Sequence, residues 1–310
     1  MINMKKDFLS ILDINKDQML EILKLAEKIK RHPSKYFNAL YRKTLVMIFE
    51  KASTRTRLSF EIAMTQLGGH AIFFSKDSHF YATGEDVFDT AKIISGYSDF
   101  LTARVNSHDT LEQFAKYCDI PVLNALSDLE HPLQALADMM TMKELKGFDG
   151  LKVAYVGDGY NVCNSLMLAC GMLGVQISMA CPKGYEPKMK LLAPNMKPFV
   201  SLNESPTQAV KDADVVYTDT WISLVLESEK ENRIKTFSPY QVNETLMKKA
   251  KKDAIFMHCL PAHKGMEVTK EVIEGPQSVI FQQANNRLHT AKALLLFLDK
   301  NGKGFSERKS

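Results

Sequence analysis

The chain lacks a stretch long enough to cross a membrane: its longest span-like apolar run, Ala293–Leu298, falls far short of the roughly 20 residues a bilayer requires. Lys5 and Lys6 precede only the short stretch Phe8–Leu12 before Asp13, which is too brief for the apolar core of a secretion signal. A cytoplasmic location without membrane contact is the expectation. Cysteine is scarce as well. Cys118, Cys163, Cys170, Cys181 and Cys259 are odd in number, form no Cys-x-x-Cys pair and lie mostly in apolar surroundings. They read as reduced thiols, which excludes a disulfide frame and a zinc ribbon. Charge of one sign is missing too: Lys and Arg exceed Asp and Glu by only four, with no basic element of the kind nucleic-acid binders carry. What is present is ordinary globular composition, 45% hydrophobic and 25% charged, over 310 residues. That length suits about two domains, each able to bury its own core.

Asn15 followed by Gln18 has the form of a capping box, and Met19, Ile22, Leu23 and Ala26 continue it at helical spacing. Apolar runs then alternate with helical patterns: strands at Thr44–Phe49, Ala71–Ser75, Phe100–Val105 and Pro121–Leu126, helices at Leu58–Leu67, Val87–Tyr97, Leu111–Cys118 and Pro132–Leu145. Such alternation predicts an α/β fold with a parallel sheet. The turn Gly147–Gly150 marks a boundary. After it, strands are expected at Val153–Val156, Gln176–Ala180, Asp214–Tyr217, Ala254–Met257 and Ser278–Phe281, giving a second α/β domain.

Unusual polar clusters recur just after these strands, where open α/β sheets hold their ligands. Ser53-Thr54-Arg55-Thr56-Arg57 joins hydroxyls and guanidiniums to a helix start whose first amides have no internal partner, an arrangement suited to phosphate. Without a Gly-x-x-x-x-Gly-Lys loop, that phosphate need not belong to a nucleotide. Arg104 ends the third strand, and His131-Pro132-Leu133-Gln134 follows the fourth. In the second half come Gly157-Asp158-Gly159-Tyr160-Asn161, Asp219-Thr220-Trp221-Ile222-Ser223 and His258-Cys259-Leu260-Pro261. Val162 stands where a dinucleotide fingerprint needs glycine, so the first of these is read as a polar rim presenting Asn161, or as an ordinary turn with Asn161 capping the helix. His258 and Cys259 are strand neighbours facing opposite ways, which excludes a thiol–imidazole dyad.

Taken in order, Ser53–Arg57, His131–Gln134 and His258–Pro261 resemble the signature of the carbamoyltransferases over essentially the whole chain. Asp219–Ser223 and Asn285-Asn286-Arg287-Leu288-His289 are similar to the ornithine branch of that family. The resemblance implies two doubly wound α/β domains with parallel sheets and an active-site cleft between them. Residues 1–148 would bind carbamoyl phosphate, 149–286 would bind ornithine, and a C-terminal helix over about 287–305 would return to the first domain. It implies carbamoyl transfer to the δ-amine of L-ornithine, giving citrulline for arginine biosynthesis, in a homotrimer with active sites near subunit interfaces and with no metal or organic cofactor. Transfer to another amine, or carbamoyl phosphate binding with impaired catalysis, are the alternatives.

By the same resemblance, Ser53, Thr54, Arg55, Thr56 and Arg104 grip the phosphate. Thr56, Arg104, His131 and Arg287 polarise the carbamoyl oxygen, while Gln134 and the backbone of Cys259 and Leu260 hold its amide. Asn161, Asp219, Ser223 and Leu224 read the amino acid, and Arg104, His131, Cys259 and Arg287 form the catalytic set. Two segments depart from the family pattern: Leu224-Val225 stands where Met-Gly is usual, and residues 76–86 replace a segment that lends a glutamine to a neighbouring subunit.

Overall fold

The computed structural model describes residues 6–75, 84–222 and 229–301. The expectations on Ser223, Leu224, Val225 and most of the 76–86 segment therefore lie outside the described residues. The described chain forms two compact units, one running up to Ala137 and resuming at Asn286, the other spanning Asp138–Asn285.

The first unit begins with helix α1 (Lys16–Arg31), whose capping box is made in both directions: Gln18 donates its amide to Asn15 Oδ1 (2.9 Å), and Asn15 donates its own to Gln18 Oε1 (3.0 Å). Its apolar stripe, including Met19, Ile22 and Leu23, is buried. Four strands follow, β1 (Thr44–Phe49), β2 (His70–Ser75), β3 (Phe100–Arg104) and β4 (Val122–Leu126), paired in parallel in the order β2-β1-β3-β4. Helices α2 (Thr54–Gln66), α3 (Val87–Tyr97) and α4 (His108–Tyr117) fall between them in the chain. Val46, Ile48, Leu101, Ala103 and Val122 pack with Ala91, Ile94, Leu111 and Phe114 into one core. Near-continuous apolar strands of this kind are what a sheet covered on both faces requires.

Helix α5 (Pro132–Leu145) carries the change from the first unit to the second at Ala137/Asp138, ahead of the Gly147–Gly150 turn on which the sequence placed the boundary. A turn is a local signal, whereas compactness follows from where each helical residue packs. The second unit holds β5 (Lys152–Val156), β6 (Gln176–Ala180), β7 (Val200–Asn203), β8 (Val215–Thr218) and β9 (Ile255–His258), parallel in the order β7-β6-β5-β8-β9. Helix α6 (Asn161–Leu173) follows β5, and the short α7 (Pro206–Val210), then α8 (Lys230–Phe237), α9 (Glu244–Met247) and α10 (Lys270–Ile273) come after β7.

Two differences from the sequence reading have physical causes. Edge strand β7 is half exposed and shows no apolar run, so nothing announced it. Ser278–Phe281, expected as a strand, contributes a single bridge from Ser278 to Phe256. The chain then turns into helix α11 (Ile280–Asn301) once Gln283 donates its amide to Val279 (3.0 Å). The C-terminal helix therefore starts ahead of the expected 287, and Arg287 lies about two turns inside it.

The turn after β5 is pinned by a close backbone approach. A Cβ on Gly159 would stand 2.3 Å from Pro187 N and 2.5 Å from the Tyr185 carbonyl oxygen, too near for any side chain. Gly159→Ala is expected to cost about 1–3 kcal/mol through forced backbone movement. Exposed Gly96 in α3 meets nothing within 4 Å, so Gly96→Ala is expected to stabilise by roughly 0.5–1 kcal/mol. Thermal unfolding of the two variants checks the contrast.

Candidate active site

In each sheet the strand order reverses beside its first strand, and loops leaving the carboxyl ends there face one edge, the usual ligand position of doubly wound sheets. In the first unit this point lies between β1 and β3, whose carboxyl ends, Phe49 and Arg104, are register partners. Ser53 is the N-cap of α2, extended and with no side-chain capping bond, so its hydroxyl is not spent on the helix start. Thr56 is buried one turn in, with Ser59 Oγ donating to its carbonyl (2.9 Å). A cavity of ≈710 Å³ opens beside this loop, bordered by Phe49, Glu50, Ser53, Thr54 and Phe73. Arg57 is engaged elsewhere: its Nε donates to Glu61 Oε1 (2.9 Å) and its guanidinium lies 3.9 Å from the Phe73 ring centroid.

From the C-terminal helix, buried Arg287 donates through Nη1 to Gln134 Oε1 (2.6 Å) and through Nη2 to Thr56 Oγ1 (3.1 Å). One guanidinium thus ties together three residues that the sequence offered separately. His131, 5% exposed, sits directly before Pro132 at the start of α5, where proline suits the first helical position. Burial pushes its imidazole well below the usual histidine range, and the charges of Arg287, Arg104 and Arg55 push it further. His131 is therefore neutral at physiological pH, in a strongly cationic setting.

The turn carrying His131 is braced by residues the sequence reading did not single out. Glu130 is buried and accepts from Ser10 Oγ (2.5 Å) and the Ile11 amide (3.1 Å), while its carbonyl accepts from the Ser127 amide (3.0 Å). These partners lie far apart in sequence or are common turn residues, so no local pattern marks them.

In the second unit the reversal point lies between β5 and β8. Asn161 is buried at the start of α6, but Tyr160 is the N-cap, and Asn161 Oδ1 accepts from the Val162 amide (2.8 Å). Asp219, after β8, accepts from the Thr220 amide (2.7 Å) and from Cys259 Sγ (2.9 Å) through Oδ1. Burial raises its carboxyl above the ordinary range, while His258 and the Cys259 thiol act in the opposite sense.

Strand β9 ends at His258, so Cys259 lies one residue beyond it and alternation does not set its direction; its thiol faces Asp219, while both His258 ring nitrogens are engaged elsewhere. Nε2 of His258 meets Glu267 Oε1 (3.2 Å), and Nδ1 accepts the Leu260 amide (2.9 Å). Glu267 Oε1 also accepts the His263 amide (2.5 Å). This fully buried glutamate is a further residue without a sequence signal, because its partner lies nine positions upstream. Leu260 has φ 59, an uncommon backbone conformation for a leucine.

Asp219, His258 and Cys259 offer atoms within 4.8 Å of one another, a donor set a metal could use. Both ring nitrogens of His258 are already engaged, however, so ligation would have to displace Glu267 or the Leu260 amide. The geometry fits hydrogen bonding better than metal binding.

Comparison with known proteins identifies the chain's relatives. Residues 6–144 match the aspartate/ornithine carbamoyltransferase carbamoyl-P binding domain, and residues 149–298 match the Asp/Orn binding domain of the same family. The chain is similar to the ornithine carbamoyltransferase of Methanosarcina acetivorans, 51% identical over 300 residues that cover 95% of this chain and 99% of the relative. Among solved structures, the ornithine carbamoyltransferase of Pyrococcus furiosus aligns at a TM-score of 0.90 and 48% identity, covering 94% of this chain and 96% of the other. An anabolic ornithine carbamoyltransferase of Campylobacter jejuni aligns at 0.87 and 44%, covering 95% and 99%.

Because His131 binds its proton less well folded than unfolded, its contribution to stability falls as pH drops through the unfolded value near 6.5. Ring-nitrogen NMR is expected to show a neutral imidazole at pH 7 that stays neutral as the pH falls past 6.5. Replacing His131 with Gln is expected to flatten the stability–pH curve in that window.

Proposed function

The chain belongs to the aspartate/ornithine carbamoyltransferase family, and from that premise we propose that it transfers the carbamoyl group of carbamoyl phosphate to the δ-amine of L-ornithine, giving L-citrulline and phosphate. The observation that carries the reading is the buried, neutral His131 acted on by Arg55, Arg104 and Arg287, with Arg287 tied to Thr56 and Gln134. Such a set suits a dianionic phosphate joined to a carbonyl whose oxygen becomes negative in the transition state.

In this reading the α2 amides, the Ser53, Thr54 and Thr56 hydroxyls, Arg55 and Arg104 take the phosphate. His131, Arg104 and Arg287 meet the carbamoyl oxygen. A neutral histidine adds no further positive charge beside three guanidiniums, yet it still donates a hydrogen bond as the oxyanion forms. Gln134 and the Cys259–Leu260 backbone hold the carbamoyl amide. The first unit is thus the carbamoyl phosphate-binding domain and the second the ornithine-binding domain.

Asn161 and Asp219 receive the amino-acid end of ornithine, and Ser223 and Leu224, outside the described residues, join them by family resemblance. A free alkylamine has a pKa near 10.4, so the attacking nitrogen has to lose a proton, and cationic, desolvated surroundings favour that loss. As the neutral amine bonds to the carbonyl carbon, the carbon–oxygen bond to phosphate breaks, and the amine's remaining extra proton leaves with the phosphate. Asp219 and Cys259 orient the amine, and no metal or organic cofactor is needed for the step.

The reading also includes a homotrimer with active sites near subunit interfaces. Support comes from the first unit, which leaves apolar Leu58 and Ile62 of α2 and Ile72 of β2 exposed. A cytoplasmic role in arginine biosynthesis completes it, consistent with there being no helix among the described residues long and apolar enough to cross a membrane.

Purified protein supplied with carbamoyl phosphate is expected to make citrulline from ornithine, while putrescine, lysine, aspartate and N-acetylornithine yield little carbamoylated product. Turnover of another amine, or of none, would replace the reading. Arg55→Ala is expected to abolish carbamoyl phosphate binding by calorimetry, and His131→Gln to lower kcat by roughly 10²–10³-fold.

A further inference from the structure

Arg233 belongs to none of the motifs along the chain and lies on α8, removed in sequence from every strand end. It is nevertheless only 7% exposed, unusual for an arginine on a short, polar helix. Its Nε donates to the carbonyl oxygen of Trp221 (2.6 Å), and its Nη2 pairs with Asp158 Oδ2. The guanidinium carbon lies 4.8 Å from the ring centroid of Tyr185 and 4.9 Å from that of Phe237, and Phe237 in turn stacks on Trp221 at 5.7 Å.

Both partners sit in the turns described above. Asp158 lies in the turn after β5 that ends at Asn161, and its backbone carbonyl accepts from Tyr155 Oη (2.7 Å). Trp221 lies in the segment that leaves β8 through Asp219. One side chain therefore bonds to the turn that presents Asn161 and to the turn that presents Asp219. The two segments are also joined where they leave their strands, since Thr218 Oγ1 at the end of β8 donates to the Val156 carbonyl at the end of β5 (2.6 Å).

We propose that Arg233 is a positioning residue for the amino-acid substrate: by joining these two turns it fixes the spacing of Asn161 and Asp219, and so the recognition of the substrate's α-carboxylate and α-ammonium groups. The inference rests on the ornithine reading above and deepens it. The guanidinium suits the task because it is planar and donates in two directions at once, whereas a lysine ammonium at the end of its stem cannot reproduce that fork. The pair is also desolvated: burial pushes the Asp158 carboxyl up to about 6 against the pull of Arg233, so it is charged at neutral pH and facing its partner. Buried ion pairs of this kind are costly to break by removing one member, because the other is left as an uncompensated buried charge.

The test uses the full-length protein with Arg233→Ala, Arg233→Lys and Asp158→Asn, and follows the KM for each substrate, kcat, and inhibition by L-norvaline, which keeps the α-carboxylate and α-ammonium but has no δ-amine. The KM for ornithine and the inhibition constant of norvaline are expected to rise together, by roughly 10- to 100-fold, with the KM for carbamoyl phosphate within about twofold of its starting value. Arg233→Lys is expected to restore little.

Unchanged ornithine and norvaline constants, or a parallel loss in every constant, would overturn the inference. If Arg233→Ala fails to fold, the near-isosteric Asp158→Asn decides by the same ratios. Wild-type protein that makes no citrulline overturns the ornithine reading and this inference with it. Wild-type protein that does, beside variants with unaltered ornithine constants, overturns the inference alone.

Discussion

A strand hydrogen-bonded on both sides to strands running the same way has to send every connection back over a face of its sheet. In both units that constraint places all the carboxyl ends along one edge, with a gap beside β1 and beside β5 where the order reverses. The proposed site residues, Arg287 of α11 apart, hang from those edges. The anion loop follows β1, Arg104 ends β3, His131 follows β4, Asn161 follows β5, Asp219 follows β8, and His258 ends β9 with Cys259 behind it. The apolar strands can be uniform and densely packed because the polar residues of the proposed site fall at or beyond their carboxyl ends.

The electrostatics of the first unit follow from concentrating cations where little water reaches. Two unit charges 4 Å apart near a protein surface interact by about 4 kcal/mol. A protonated His131 facing three guanidiniums would be strongly disfavoured, and the protein resolves the conflict by leaving it neutral. Arg287 and Gln134 meet the same problem in another way: the amide oxygen and the Thr56 hydroxyl accept from the guanidinium, so its donors are satisfied and its orientation is fixed. The result is a set of dipoles whose orientation the protein's own hydrogen bonds fix.

Much of this was legible in the sequence because it is local. A capping pair three residues apart, an apolar run of strand length and hydroxyls beside guanidiniums at a helix start are all patterns within one turn of chain. Ser53, Arg104, His131, Asp219 and Cys259 all stand next to such runs. What stayed hidden depends on contacts between distant residues. Edge strand β7 is held by its pairing with β6 and not by its own apolarity, and Ser278 could pass for a strand residue because a single bridge uses the same backbone as a ladder. Glu130, Glu267 and Arg233 are charged residues whose burial alone makes them notable, and burial cannot be read from a single sequence. Asn161 is ambiguous in the sequence for the opposite reason, since an asparagine at a helix start is so commonly a cap. Here Tyr160 holds that position, leaving the Asn161 side chain buried beside it.

The His258-Cys259-Leu260 segment shows how one strand end can serve two purposes. At the end of β9 the imidazole is engaged by Glu267 and the Leu260 amide, while the thiol one residue further on donates to Asp219, so each has its own partner. Because Nδ1 of His258 accepts the Leu260 amide, the other ring nitrogen carries the proton and is drawn to the carboxylate of Glu267. That bond holds Leu260 in its left-handed conformation, which a leucine would not keep unaided. The histidine therefore braces the backbone beside Cys259, whose thiol is itself bonded to Asp219.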